Sequence, residues 1–379
     1  MQNPGSLFLT SKFQNPLHLY VHIPFCLRIC PYCAFYKHML GRSDLEGFVR
    51  AVAQEARLRL PQGYAPQTIY FGGGTPSLLS PKHLDILVEG LRHTVDFSQL
   101  REWSFESNPA TFTTAKAEQW ARLGITRVSL GAQSFEPELL KLLGRTHSPQ
   151  QIEQSVAMLR AAGIPQVNID LMFSLPGQTI DQWRHTLECT IAQSPDHIST
   201  YNLTYEEDTA FFDTFGAEAN DEETDVAMFT IADELLTAAG YRHYEISNFA
   251  RNGMISHHNL ACWRGEDYYG LGPGAYGTIN GIRYRNTEDT AAYTTALKEG
   301  RLPEFTQERI SPEDRRTELL GLRLRTDEGL PPELLRPHDA AFTAMLQQEG
   351  LATMTDDGRL LLTLQGRLLA DEIAVQLLS

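Results

Sequence analysis

Six apolar, β-branched segments, each followed by an amphipathic or polar stretch, run through roughly residues 17 to 240 of this 379-residue chain. LHLYVHIP, QTIYFGGG, EWSFESNP, TRVSLGAQSF, QVNIDLMFSLPG and HISTYNLTYEE read as strands. LEGFVRAVAQEARLRL, PKHLDILVEGLRHT, TTAKAEQWARLG, QQIEQSVAMLRAAG and TIDQWRHTLECTIAQ read as helices between them. Such alternation predicts an α/β fold with parallel strands and right-handed crossovers: a full or partial barrel, with an open doubly wound sheet as the alternative. Gly124, Gly163 and Gly240, each just before a strand, suit helix C-caps.

Beyond residue 300 the pattern changes. ERISPEDRRTELLGLRL and PHDAAFTAMLQQEGLATM read as helical, TDDGRLLLT as a hairpin and LQGRLLADEIAVQLL as a final helix, together a small winged-helix-like α+β domain. The expected division is an extension over 1–16, the barrel over 17–240, a connecting region over 241–300 and the C-terminal domain over 301–379. A formal charge of −15 argues against nucleic acid, which needs clustered Lys and Arg, and the wing is expected to pack or dock a partner instead. No apolar stretch reaches membrane-span length, and the first residues lack a basic segment followed by a hydrophobic one, so a cytoplasmic protein is expected.

The five cysteines do not resemble a disulfide framework, since three cluster and Cys189 and Cys262 stand alone. Cys26, Cys30 and Cys33, in CLRICPYC directly after the first strand, are spaced for a metal centre. Thiolates ligate both iron–sulfur clusters and zinc. Three thiolates on a four-iron cluster leave one iron open to a small molecule; a zinc knot would take His22 or His38 as its fourth ligand. In a barrel the reacting groups collect at the C-terminal strand ends. There the sequence places the cysteine loop, then Gly72, Gly73, Gly74 and Thr75, then Glu106 and Asn108, then Gln133, then Asp170, so all should line one mouth. The glycine triplet is expected to let a ligand approach the backbone closely, the carboxylates to take hydroxyls or an ammonium, and Arg145 to take a carboxylate. GPGAYG, residues 272–277, spells a dinucleotide fingerprint but precedes the strand-like TINGIRYRN instead of opening a helix, so a sharp loop is expected.

HIPFCLRICPYCAF, YFGGGTPSLL, ESNPATFT, RVSLGAQSFEPELLKLLGRTH, NIDLMFSLPGQT, HISTYNLTYEEDTAFF and HYEISNFARNGMISHHNLACWRGEDYYGLGPGAYG resemble, in order, the blocks of HemW-type haem chaperones. These are radical S-adenosylmethionine (SAM) proteins related to oxygen-independent coproporphyrinogen III dehydrogenase. The resemblance spans roughly residues 17–330. It implies a partial (β/α)6 barrel and a [4Fe–4S] cluster on Cys26, Cys30 and Cys33. Tyr20 and Tyr32 would lie beside the cluster and SAM. Gly72, Gly73, Gly74, Thr75, Glu106, Gln133, Arg145 and Asp170 would bind SAM. It also implies haem as cargo, acceptor haemoproteins such as membrane respiratory enzymes as partners, and a homodimer. The alternative it carries is the dehydrogenase, a radical oxidative decarboxylation to protoporphyrinogen IX. That branch has a further Cys where this chain has Phe35, which favours the chaperone. HNLACW, residues 258–263, stands where the family has a haem-associated His-Asn-x-x-Tyr-Trp element, with Cys262 replacing Tyr. His258 and Cys262 are thus the candidate haem ligands, His258 the favoured one.

Overall fold

The computed structural model describes residues 16–216 and 222–378, without the side chains of residues 304 and 305. The expected N-terminal extension lies almost wholly outside the described residues. All six anticipated strands form: β1 (His18–Ile23), β2 (Thr68–Gly73), β3 (Glu102–Ser107), β4 (Arg127–Gln133), β5 (Gln166–Phe173) and β6 (His197–Asn202). They pair in parallel in sequence order, as right-handed crossovers of this kind require. The crossover helices are α1 (Leu45–Arg59), α2 (Pro81–Arg92), α3 (Thr114–Leu123), α4 (Pro149–Ala161) and α5 (Ile180–Ala192). Ser148 and Thr179 open α4 and α5 with capping boxes, pairing with Gln151 and Gln182, and Gly124 closes α3 at φ 98°.

The sheet extends past this unit at both edges. Beyond β6, after helix α6 (Glu222–Ala238), run β7 (Arg242–Glu245) and β8 (Asn248–Ala250), with β8 antiparallel to β6. At the other edge β9 (Tyr268–Leu271) pairs parallel to β1, followed by the antiparallel β10 (Tyr276–Ile279), β11 (Ile282–Asn286) and β12 (Glu304–Arg309). The strand order is β12-β11-β10-β9-β1-β2-β3-β4-β5-β6-β8-β7, an open, mixed sheet around a partial barrel. TINGIRYRN is thus a hairpin, not one strand. Asn280 and Gly281 turn it at φ 52° and 72°, the left-handed pair that two-residue hairpins favour. ERI is not helical either: Glu308 and Arg309 belong to β12, and the helix begins at Pro312, where Ser311 accepts from the Asp314 amide.

The C-terminal part has its own core, with Leu320, Leu324, Leu330, Leu346, Leu360 and Leu377 buried. Its hairpin forms from Ala352–Met354 and Leu360–Leu362. The expected last helix is two, Leu364–Leu368 and Ala370–Gln376, broken where Leu369 turns to φ −111°, ψ 23°.

Strands β9 to β11 are fastened to α1 by one carboxylate. Glu55 is fully buried and accepts from Arg59 Nε (3.0 Å), the Gly272 amide (2.9 Å), Asn286 Nδ2 (2.8 Å) and the Tyr293 hydroxyl (2.6 Å). Removing it leaves a buried guanidinium and three polar groups without their acceptor. Glu55→Ala should therefore lower the unfolding free energy by about 3–5 kcal/mol in urea denaturation; a loss below about 1 kcal/mol would contradict this assignment.

Candidate functional site at the barrel mouth

Along β1 to β6 the residues alternate. Leu19, Val21, Ile23, Ile69, Phe71, Val128, Leu130, Val167, Ile169 and Leu171 are fully buried against the helices. The intervening residues face the inside of the barrel and are mostly polar: His18, Tyr20 and His22; Glu102, Ser104 and Glu106; Asn168 and Asp170.

The cysteine loop leaves β1 at the mouth. Its two ends are zipped by the parallel pairing of Phe25–Cys26 with His38–Met39, and the Cys33 amide donates to the Cys30 carbonyl. All three thiols are half-exposed. Burial pushes the Cys26 and Cys33 thiols above their ordinary pKa, while Lys37, whose ammonium bonds the Cys33 carbonyl, pulls the other way. From Cys26 a chain of contacts crosses the mouth. Thr75 Oγ1 donates to Cys26 Sγ (3.8 Å), Asn108 Nδ2 to Thr75 Oγ1 (3.0 Å), and an Arg145 terminal nitrogen to Asn108 Oδ1 (2.8 Å). Arg145 Nε is buried and, among the described residues, without a hydrogen-bond partner. Tyr32 packs against Phe211, whose amide donates to the Pro31 carbonyl, so the segment after β6 leans on the loop. Both imidazoles weighed as a fourth zinc ligand are engaged. His22 bonds the Tyr36 carbonyl and the Tyr20 hydroxyl, and His38 bonds Thr290 and the Met39 carbonyl. Among the described residues no three His, Cys, Asp or Glu side chains converge on one metal ion.

The glycine triplet also has a packing role within the protein. A Cβ at Gly72 would lie 2.7 Å from the Tyr70 ring, at Gly73 2.5 Å from the His22 ring, and at Gly74 2.7 Å from the Phe25 carbonyl oxygen. At Gly73 and Gly74 the missing side chains make room for the end of β1 and the residues that follow it, and at Gly72 for the Tyr70 ring and the Glu106 carboxylate. The amides of Gly73, Gly74 and Thr75 are spent internally, on Glu106 Oε2 (3.0 Å), the Ile23 carbonyl and the Phe25 carbonyl. Gln133 ends β4 in the left-handed region, at φ 69°, where the pairing with β5 shifts register. Asp170 lies inside β5, not at its end.

Glu106 and Asp170 are the two carboxylates of the upper barrel, and among the described residues neither forms an ion pair. Burial lifts Glu106 to about 7, against the pull of the Tyr70 hydroxyl (2.7 Å) and the Gly73 amide. Burial also raises Asp170, which accepts from Ser129 Oγ (2.6 Å) and Asn168 Nδ2 (2.7 Å). A mouth with two carboxylates lacking ion pairs and a buried guanidinium nitrogen without a partner fits a ligand carrying both a cation and a carboxylate.

The residues of HNLACW lie elsewhere. Helix α7 (His257–Trp263) closes the floor, at the opposite ends of the strands, roughly 15–20 Å away for strands of this length. The Glu102 carboxylate accepts from the His257 and His258 amides (2.8 and 3.0 Å) at its start. His258 is 4% exposed, with Nδ1 on Thr68 Oγ1 (2.8 Å) and its ring 5.1 Å from that of Tyr70; burial holds it at about 3. Cys262, one turn on, is exposed. The sequence reading passed over Glu102, Asn168, His197 and Tyr70. The signal that could have found them is the period-two run of polar residues in TIY, EWSFES, NID and HIS.

Comparison with known proteins places the chain in a class. The radical SAM superfamily profile matches residues 20–190. The coproporphyrinogen III oxidase HemN of Escherichia coli, described as a radical SAM enzyme, has the same fold, with TM-score 0.80 at 24% identity over 95% of this chain and 89% of its own. The haem chaperone HemW of Bacillus subtilis is 32% identical over 368 residues, 93% of this chain and 97% of the relative. HemW of Mycobacterium tuberculosis H37Rv is 34% identical over 378 residues, 96% and 95% of the two chains. The chain therefore belongs to the HemW family of haem chaperones.

The Glu106 pKa makes a prediction for the protein free of cluster and SAM. A carboxyl whose folded pKa is raised from 4.5 to about 7 contributes stability that is complete below the lower value and lost as pH rises through the upper one. Since Glu106 is partly exposed, the difference in unfolding free energy between wild type and Glu106→Gln should shrink by ~1–2 kcal/mol from pH 5 to pH 8. A difference that is flat across that range would refute the raised pKa.

Proposed function

We propose that this chain is a haem-binding chaperone that delivers haem to acceptor haemoproteins, carrying a [4Fe–4S] cluster and SAM at the barrel mouth. Its similarity to HemW chaperones over more than nine-tenths of the chain carries this reading. Cys26, Cys30 and Cys33 would hold the cluster. Tyr20, Tyr32, Gly72, Gly73, Gly74, Thr75, Glu106, Gln133, Arg145 and Asp170 would surround SAM. Arg145 Nε would meet the methionyl carboxylate, and Glu106 and Asp170 would meet the ammonium and the ribose hydroxyls. A reduced cluster with SAM supplies one-electron and radical chemistry when bound. The chain's own part is to bury and orient: Asn168 and Ser129 hold Asp170, and Tyr70 holds Glu106. His258 supplies imidazole to haem iron, with Cys262 as the rival ligand. Acceptors of the membrane respiratory type, a homodimer and a cytoplasmic location belong to the same proposal. Among the described residues no helix is long and apolar enough to cross a membrane.

Anaerobically purified protein should contain about one [4Fe–4S] cluster, and Cys26→Ala, Cys30→Ala and Cys33→Ala should each lose it with the fold retained. Wild-type iron content in all three variants would end the cluster assignment. Asp170→Ala should weaken SAM binding by about 1.5–3 kcal/mol in calorimetry. The same protein incubated with coproporphyrinogen III, SAM and a reductant should form no protoporphyrinogen IX; sustained decarboxylation would replace the chaperone by the dehydrogenase.

A further inference from the structure

The outer face of α5 carries a thiol and an imidazole, with a carboxylate from the loop after β4 in line behind them. His185 and Cys189 stand one turn apart on the helix, so both project on the same side. His185 Nε2 lies 3.3 Å from Cys189 Sγ, and His185 Nδ1 lies 2.6 Å from Glu136 Oε1. The line is open to solvent: the His185 side chain is 56% exposed and Cys189 is half-exposed. Its parts are held in register by the chain around them. The Ser134 hydroxyl accepts from the Glu136 amide (3.0 Å), and Thr186 Oγ1, beside His185, accepts from the Phe135 amide (3.3 Å). On the other side of the helix Trp183, Thr186, Leu187 and Thr190 are buried, so α5 cannot roll the pair away.

A carboxylate only accepts, so His185 carries a proton on Nδ1 whether its ring is neutral or charged. Nε2 is then the nitrogen that faces the sulfur and the one a metal ion can take. Ligand atoms about 2.3 Å and about 2.05 Å from a tetrahedral zinc ion stand about 3.5 Å apart. The 3.3 Å between Sγ and Nε2 is close to that spacing. A carboxylate on the far nitrogen is also the common outer partner of a metal-binding histidine, fixing its ring. The same line has the order of a nucleophile, a base and an orienting carboxylate. Its surroundings favour the cation instead. Burial raises the Cys189 pKa, and the Glu136, Glu153 and Glu188 carboxylates raise it further. Such a setting disfavours a free thiolate but draws in a cation that replaces the proton.

We propose that Cys189 and His185 form a surface site for a zinc-like divalent cation, with Glu136 as the positioning residue behind the imidazole. Sulfur and nitrogen together select zinc and the softer cadmium over magnesium and calcium, which prefer oxygen. Two protein ligands leave the remaining positions to water or to a donor from a bound molecule. The site is independent of the cluster, SAM and haem readings, since none of its residues is among those assigned to them.

The test is metal titration of the anaerobically purified protein, in wild type, Cys189→Ala, His185→Ala and Glu136→Ala, with thermal melts to check the fold. Zinc is competed against a chromophoric chelator, and cadmium is followed by its ultraviolet thiolate charge-transfer band. Wild type should bind about one equivalent of zinc more than Cys189→Ala, and cadmium should give a thiolate band that Cys189→Ala lacks. Reading each result against Cys189→Ala cancels any metal taken by Cys26, Cys30 and Cys33, with or without a cluster there. His185→Ala should bind the additional equivalent about tenfold or more weakly, and loss of the outer carboxylate in Glu136→Ala should weaken it about tenfold. In wild type, zinc should slow alkylation of Cys189 by iodoacetamide about tenfold or more, read by peptide mass spectrometry. That measurement carries the test alone if a variant does not fold. Equal zinc stoichiometry in wild type and Cys189→Ala, alkylation indifferent to zinc, or wild-type zinc affinity in His185→Ala would each overturn the site.

Discussion

A barrel whose inner face is polar must find a partner for each charge it turns inward, because water is scarce there and an unpaired carboxylate is costly to bury. That constraint governs how this molecule is put together. The clearest case is Glu102, 1% exposed near the floor. It has no basic partner among the described residues. Its oxygens accept instead from the first two amides of α7, and the Ser256 hydroxyl is turned to one of them at 3.5 Å. A helix start is the natural complement, with unpaired N–H groups and the positive end of the aligned peptide dipoles. The carboxylate thereby fixes where α7 begins, and the helix closes the floor.

The same chemical group meets three different fates along one face. Glu102 is satisfied by the protein's own backbone. Asp170 is held by side-chain donors, Ser129 and Asn168, with Asn168 backed in turn by His197, and His197 by Tyr244. Glu106, nearest the mouth, is left with one hydroxyl and one amide and with its pKa lifted by burial. Internal satisfaction falls from floor to mouth. This gradient is what a site needs if it is to hold its shape at the closed end and leave unmet demand at the end where a ligand enters.

Much of this was legible in the sequence, for reasons that can be traced residue by residue. The six strands and their crossover helices were readable because the buried sides of β1 to β6 are continuous runs of Leu, Val, Ile and Phe, and the helices carry clear caps such as Ser148 with Gln151. CLRICPYC was readable because thiol spacing is a local property. What failed was non-local or needed a finer period. The Asn280-Gly281 turn was overlooked inside a β-rich run, although that dipeptide is a strong hairpin signal. The packing role of Gly72 to Gly74 could not be read because His22, Phe25 and Glu106, which a side chain there would strike, come beside them only in the fold. Asp170 was read as a strand end because MFSLPG hides the three further residues of β5.

The floor also shows how the histidine-rich element, far from the cysteine loop, is tied to the strands that carry the mouth. Helix α7 is pinned at its first turn by three strands: β3 through Glu102, β2 through Thr68, and β7 through the Tyr244 hydroxyl, which accepts from the Ser256 amide at 3.1 Å. Tyr244 in turn reaches His197 at 2.8 Å, and from there Asn168 and Asp170. With Asn168 Oδ1 as acceptor, His197 donates through Nδ1 and accepts at Nε2. Every donor in the line from Ser256 to Asp170 therefore points toward the carboxylate, and hydrogen bonds aligned in this way polarise and strengthen one another. Burial keeps His197 neutral, so the orientation does not reverse across ordinary pH. The position of the floor helix is thus written into the register of the same strands that carry the mouth.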